Sequence, residues 1–146
     1  MDLEPLKKIF LSLRKFSKKA IEFTIEANPE SLTMDKLSLF LDEGVNRISI
    51  GVQSFDNSKL KRLGRLHDGP CAVKAVEKAR KSGFKNIGID LIFGVWDEVL
   101  TSWKDDLKVA ADLPITHISC YGLTYEPGTS IKACVKSGSI IPLPEE

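Results

Sequence analysis

The 146-residue chain carries 21 Lys and Arg against 20 Asp and Glu, is 42% hydrophobic and 28% charged, and holds three cysteines. That is one domain's worth of chain, too evenly charged for an electrostatic footprint on nucleic acid and too apolar for disorder. Its most apolar stretch, residues 87–96, is short and interrupted by Asp90, which excludes a membrane-spanning helix there.

In chain order, residues 1–19 are basic and amphipathic, carry Asp2 and Glu4 and lack a continuous apolar run, so they read as a helix and not as a targeting segment. Strand-like runs follow at residues 22–28, 47–53, 86–93 and 117–124, with a helical pattern in every gap. Thr33 is placed to cap a helix carrying Leu37, Phe40 and Leu41 that stops at Gly44. Asp56 is placed to cap a short helix ending before Gly64. Asp68, with Pro70 in the first turn, opens one that carries Val73, Val76 and Ala79 and stops at Gly83. Thr101 precedes Trp103, Leu107, Ala110 and Ala111, and Leu113 and Pro114 close that segment. A repeated strand-then-helix unit predicts parallel strands joined by right-handed crossovers, in a doubly wound sheet or a barrel.

The strand faces decide between these two. Phe23, Ile25 and Ala27 lie opposite Thr24, Glu26 and Asn28. Ile48, Ile50 and Val52 lie opposite Ser49, Gly51 and Gln53. Ile87, Ile89, Leu91 and Phe93 lie opposite Gly88, Asp90, Ile92 and Gly94, and Ile118 and Cys120 lie opposite Ser119 and Tyr121. Central strands of a doubly wound sheet are covered by helices on both faces and read as nearly continuous apolar runs. Here one face is apolar and the other polar or very small, which suits a sheet curved around an interior. Those small polar residues cannot fill a closed barrel, so the expectation is an open or wide barrel whose interior receives a sizeable polar ligand.

Glu26, Gln53 and Asp90 sit late on three successive strands, on the inward face, at the end where βα barrels carry their working rim. The plain alternative is that each carboxylate pairs with a nearby arginine or caps a helix. Arg65, in Leu63-Gly64-Arg65, is suited to grip a carboxylate from a rim loop, or else is a solvated surface residue. His67 reads as a helix-flanking polar residue and not as a base, since no Ser or Cys nucleophile stands at a telling offset. Tyr121, Tyr125 and the turn Glu126-Pro127-Gly128-Thr129 close the last strand. No Gly-rich phosphate loop is present. Cys71, Cys120 and Cys134 form no local metal clip, fit a reducing compartment, and read as small apolar fillers.

The strings Ile25-Glu26-Ala27-Asn28-Pro29, Asn46-Arg47-Ile48-Ser49-Ile50-Gly51-Val52-Gln53-Ser54-Phe55, Leu63-Gly64-Arg65, Ile89-Asp90-Leu91-Ile92-Phe93-Gly94 and His117-Ile118-Ser119-Cys120-Tyr121 resemble the oxygen-independent coproporphyrinogen III oxidase family of radical S-adenosylmethionine proteins. The resemblance covers residues 20–130. Ala27-Asn28-Pro29 and Glu126-Pro127-Gly128-Thr129 look more like its heme-chaperone branch. It implies an α/β fold, a partial (β/α)6 TIM-like barrel of which residues 1–130 would supply about four units, with 131–146 beginning the connection to a further domain. It also implies S-adenosylmethionine as cofactor, with contacts carried residue by residue onto Glu26, Gln53, Arg65 and Asp90. A 4Fe-4S cluster and heme or a porphyrin would be its other partners.

The departures from the family pattern are equally specific. The Cys-x3-Cys-x2-Cys cluster loop, its strand and the Gly-rich strand after it are expected upstream of residue 1, so this chain carries no predicted catalytic residue and no predicted metal ligand. Taken alone it is expected to be inactive. The usual Gly-Leu-Pro-Gly is replaced by Gly94-Val95-Trp96-Asp97, so a different loop shape is expected. Three readings stay open: part of a heme chaperone, part of an oxidatively decarboxylating coproporphyrinogen III dehydrogenase, or a truncated product that keeps the motif residues for structure. No nucleic-acid partner and no transmembrane segment are expected, a cytoplasmic or organellar setting is implied, and an incomplete barrel is expected to self-associate.

Overall fold

The computed structural model describes residues 2–17 and 20–144. The outermost residues of the first predicted helix, Met1, Lys18 and Lys19, and the last two of the chain lie outside them. The elements run α1 (Leu3–Ser17), β1 (Thr24–Ala27), a 3₁₀ turn (Pro29–Ser31), α2 (Met34–Asp42), β2 (Arg47–Gln53), α3 (Asn57–Arg62), α4 (Gly69–Ser82), β3 (Asn86–Phe93), α5 (Leu100–Ala111), β4 (His117–Gly122) and α6 (Ser130–Lys136). All strand pairs are parallel, and the sheet order β1-β2-β3-β4 follows the chain. A doubly wound sheet reverses direction at a switch point; this order never does.

The apolar strand face is the covered one in β2 and β3 and partly so in β1, whereas Ile118 and Cys120 of β4 are exposed. Ile48, Ile50, Val52, Ile87, Ile89 and Leu91 are fully buried, with Leu37 and Phe40 of α2, Ala72, Ala75, Val76 and Ala79 of α4 and Ala110 of α5 in the same core. The α4 residues recur at helical spacing, and their small side chains let the helix lie close to β2 and β3. Each fully buried aliphatic side chain contributes about 1.5–3 kcal/mol. At the sheet's first edge, Phe10 of α1 packs its ring against Phe23 and Phe40, with centroids 6.0 and 5.8 Å away. Arg14 grips Glu43 through Nε and Nη2 at 2.9 and 2.7 Å, which pins α1 to the end of α2 and holds the Glu43 carboxyl below its usual range.

The predicted helix ends hold at Thr33, Asp56 and Asp68, whose side chains accept from Lys36 N, Lys59 N and Cys71 N. Gly83 takes the left-handed conformation, φ +116°, that ends α4. Three expectations change. β1 is shorter than residues 22–28, because the side chain of Asn46 takes the strand partner's place, accepting from Phe23 N at 2.8 Å and donating to Ile21 O at 2.9 Å. Thr101 lies inside α5, which starts from Val99 with no side-chain cap. Thr129, read as part of a turn, caps α6 by accepting from Lys132 N. Among the described residues no helix is long and apolar enough to cross a membrane.

Candidate functional site

The polar strand face is left open by the helices, and its floor is made of small residues. Register puts Glu26, Ser49, Gly88 and His117 in one row across the four strands. Asp90 and Ser119 form part of the next row toward the carboxyl end. Arg47, a cation not foreseen for this face, stretches its Nη2 to 3.4 Å from where a Cβ on Gly88 would lie.

Gln53 reaches this face by an unusual route. β2 carries an extra residue between Ile50 and Gln53, so Gln53 is opposite Leu91, a helix-side residue, and simple alternation fails there. Gln53 has φ +66°, and Ser54 N donates to Val52 O at 2.8 Å, the hydrogen bond of a γ-turn with positive φ. Such a backbone costs about 1–3 kcal/mol. It carries the amide back inward, where Nε2 lies 2.8 Å from the place a Cβ on Gly51 would take, with Asn28 Oδ1 3.5 Å from the same point. A Cβ at position 51 would displace the Gln53 amide from that place.

The two carboxylates are not consumed by the protein. Asp90 is half-buried and its oxygens lie 3.3 and 3.4 Å from one hydroxyl, Ser49 Oγ, which supplies a single proton. Glu26 is exposed, has no hydrogen-bond or ion-pair partner among the described residues, and lines a cleft of about 420 Å³ along the free edge of β1 with Phe10, Phe23 and Asn28. Among the described residues neither carboxylate is tied to an arginine or a helix end, so the plain alternative does not hold for either there. Arg65 follows α3 through paired bonds from Gly64 N to Lys61 O and Arg65 N to Leu60 O, the Schellman arrangement. Its guanidinium also has no hydrogen-bond or ion-pair partner among the described residues, and it makes no bond to Glu26, Gln53 or Asp90.

His67 corrects the expectation of a flanking polar residue. It is buried, with Nε2 2.9 Å from Val52 O and Nδ1 3.2 Å from Glu30 Oε2. The ring thereby ties the loop of Arg65 to the γ-turn of Gln53 and to the turn that follows β1. Lys59, Glu98 and Asp106 form a buried charge cluster at the same rim, also unforeseen. A signal existed: Asp106 is three residues after Trp103 and four before Ala110, on the apolar stripe of α5, where a carboxylate needs a partner.

Tyr121 points the way its register partner Ile92 does, inward, and is exposed. Tyr125 is half-buried, its hydroxyl has no partner among the described residues, and burial pushes its phenol above the usual value. Of the cysteines, read as small apolar fillers, Cys71 and Cys134 are half-buried and Cys120 is exposed. Asp97, where the family has its second glycine, takes φ +60°. That is a conformation glycine adopts freely and aspartate tolerates. Among the described residues no three His, Cys, Asp or Glu side chains are grouped to hold a metal ion.

A family model described as the radical SAM superfamily matches residues 2–110. The heme chaperone HemW of Bacillus subtilis (strain 168) is 35% identical over 146 residues, covering 98% of this chain and 38% of that protein. HemW of Escherichia coli (strain K12) is 44% identical over 108 residues, covering 74% of this chain and 29% of that one. Among solved structures, coproporphyrinogen III oxidase (HemN) from Escherichia coli, described as a radical SAM enzyme, superposes with TM-score 0.82 at 25% identity, over 97% of this chain and 33% of that chain. The chain therefore spans about a third of the length of the relatives it matches. Its singly wound parallel sheet is part of the TIM-like barrel of that fold, in a superfamily that binds S-adenosylmethionine and a 4Fe-4S cluster. With the family model matched across most of its length and a parallel sheet open on its polar face, the chain belongs to the radical SAM superfamily.

Proposed function

We propose that this chain forms the central, S-adenosylmethionine-binding part of a radical SAM protein of the heme-chaperone kind, with Glu26, Gln53, Arg65 and Asp90 as its contacts. One observation carries the reading: polar groups at one rim keep hydrogen-bonding capacity that the protein does not use. Ribose hydroxyls and an amino group call for acceptors such as carboxylates and an amide oxygen, and the methionyl carboxylate calls for a guanidinium. Glycine at 51 leaves room for the Gln53 amide, and at Gly88 Arg47 Nη2 and Ser49 Oγ each lie 3.4 Å from where a Cβ would stand. The residues present thus fit the cofactor, and their part is to bind and orient it. Reduction by the cluster would supply a 5′-deoxyadenosyl radical when both groups are bound.

The heme-chaperone assignment rests on the HemW relatives. A second reading, oxidative decarboxylation of coproporphyrinogen III, is favoured by the superposition on HemN. Residues 1–130 serve as the partial barrel and 131–146 as the start of a connection onward. Both relatives are longer, so the test uses a graft in which this chain replaces its matched segment in the Bacillus subtilis protein. The chaperone reading predicts that the anaerobically reconstituted graft binds hemin, seen as a Soret shift, and does not decarboxylate coproporphyrinogen III. Decarboxylation without hemin binding would reverse the assignment.

Among the described residues, β1 and β4 are the edge strands of the sheet. Self-association through them belongs to the same proposal. Sedimentation velocity is then expected to show species larger than the monomer growing with concentration, and a strictly monomeric chain would contradict it.

A further inference from the structure

The rim holds buried charges that cofactor binding, as described above, does not use. Lys59 of α3 is fully buried, donates from Nζ to Glu98 and, at 3.0 Å, to Asp106, and lies 5.2 Å from the centre of the Trp103 ring. The side chains of Glu98 and Asp106 are 4% and 2% exposed. Each carboxylate spends its remaining hydrogen-bonding capacity on groups just past a strand end. Asp106 accepts from Phe55 N at 2.7 Å and from Ser54 Oγ at 2.8 and 2.9 Å. Glu98 accepts from Gly94 N at 2.6 Å and Val95 N at 3.2 Å.

The positions of those groups give the cluster its meaning. Ser54 and Phe55 directly follow Gln53, and Ser54 N closes the γ-turn that swings the Gln53 amide inward. Gly94 and Val95 directly follow β3, the strand of Asp90. A buried ion pair is poor evidence for stability, because an apolar set of equal volume often serves as well. What the three charges add is a fixed spacing between two strand ends, since a single ammonium must satisfy both carboxylates.

We propose that Lys59 is a positioning residue of the cofactor site: through Asp106 and Glu98 it sets the turn presenting Gln53 and the end of the strand carrying Asp90 as one unit. The inference rests on the reading of Gln53 and Asp90 as cofactor contacts. Lys59 itself touches neither, and acts only through the backbone its two partners hold.

Amide hydrogen exchange on this chain, followed by NMR, tests the coupling. Glu98→Gln is expected to speed exchange at Phe55, which is bonded to Asp106, by about tenfold, and Asp106→Asn to do the same at Gly94 and Val95, with Ile50 and Ile89 unchanged. Effects confined to the amides bonded to the substituted side chain would overturn it. The positioning role has its own readout in the neutral, volume-matched variant Lys59→Met with Glu98→Gln and Asp106→Asn. Folded with a Tm near wild type, it is expected to bind S-adenosylhomocysteine about tenfold more weakly. Wild-type affinity in the folded triple variant would defeat the proposal, and should that variant not fold, the exchange pattern of the two single variants decides. Absence of S-adenosylhomocysteine binding in the wild-type chain would instead strike the contact assignment, while the exchange data would still show whether Lys59 couples the two ends.

Discussion

Gln53 is the residue at which backbone strain coincides with a proposed cofactor contact. Its positive φ is a cost that the surroundings enforce: His67 and Ser54 N both donate to the Val52 carbonyl, at 2.9 and 2.8 Å, and Asp106 anchors the next two residues. Gln53→Gly separates strain from contact. Glycine takes φ +66° without penalty, so urea unfolding is expected to show stability unchanged or raised by about 1 kcal/mol, with S-adenosylhomocysteine binding lost. A fall in stability with binding kept would assign Gln53 to structure alone. At this scale alternation placed Glu26 and Asp90 on the polar face where the register has them, because both stand on unbroken stretches of strand. It reached the right face for Gln53 through a wrong premise, since a bulge and a turn together restore what the bulge alone would invert. Arg65 was found as a rim arginine, but the histidine two places on, which ties its loop down, was read as incidental.

At the scale of elements, the rim is laced from strand to strand. Glu30 after β1 meets His67, His67 meets Val52 O of β2, and Asp106, Lys59 and Glu98 carry the connection to the end of β3. The start of α4 is packed into the same assembly. A Cβ on Gly69 would lie 2.2 Å from Phe55 O, and Gly69 N donates to Asn57 Oδ1 at 2.9 Å. Gly69→Ala therefore pushes directly on the backbone that Asp106 holds, and denaturant titration is expected to show a loss of about 1–3 kcal/mol. A loss below a few tenths would mean that the junction of α3 and α4 is loose. Helix positions and most of their caps were legible because Thr33, Asp56, Asp68 and Gly83 act through local backbone geometry. The start of α5 was not, since Glu98 is bound three and four residues back at Val95 and Gly94, an arrangement with no periodic trace. The shortening of β1 likewise depends on an Asn46 side chain from the neighbouring strand's approach.

Across the whole molecule, the decisive property is the unequal treatment of the two sheet faces. Helices α2, α4 and α5 share a core with the apolar face, while the other face keeps a carboxylate, an aspartate with one hydroxyl neighbour, an amide laid over glycine, and a guanidinium on the adjoining rim loop. In the proposed reading this face lines a cavity that a ligand completes. The chain spans about a third of its matched relatives, so it offers one wall of that cavity. The central claim is that this wall binds S-adenosylmethionine through its own side chains. Saturation-transfer NMR with S-adenosylhomocysteine on this chain tests it most directly, since the method detects binding even near a Kd of about 1 mM, where only some 4 kcal/mol is gained. Transfer to the adenine and ribose protons is expected in the wild type and is expected to be lost in Asp90→Asn combined with Glu26→Gln, a variant expected to keep the fold because neither carboxylate is bonded to more than one hydroxyl among the described residues. Equal transfer to the wild type and the double variant, or none to the folded wild type, would contradict it.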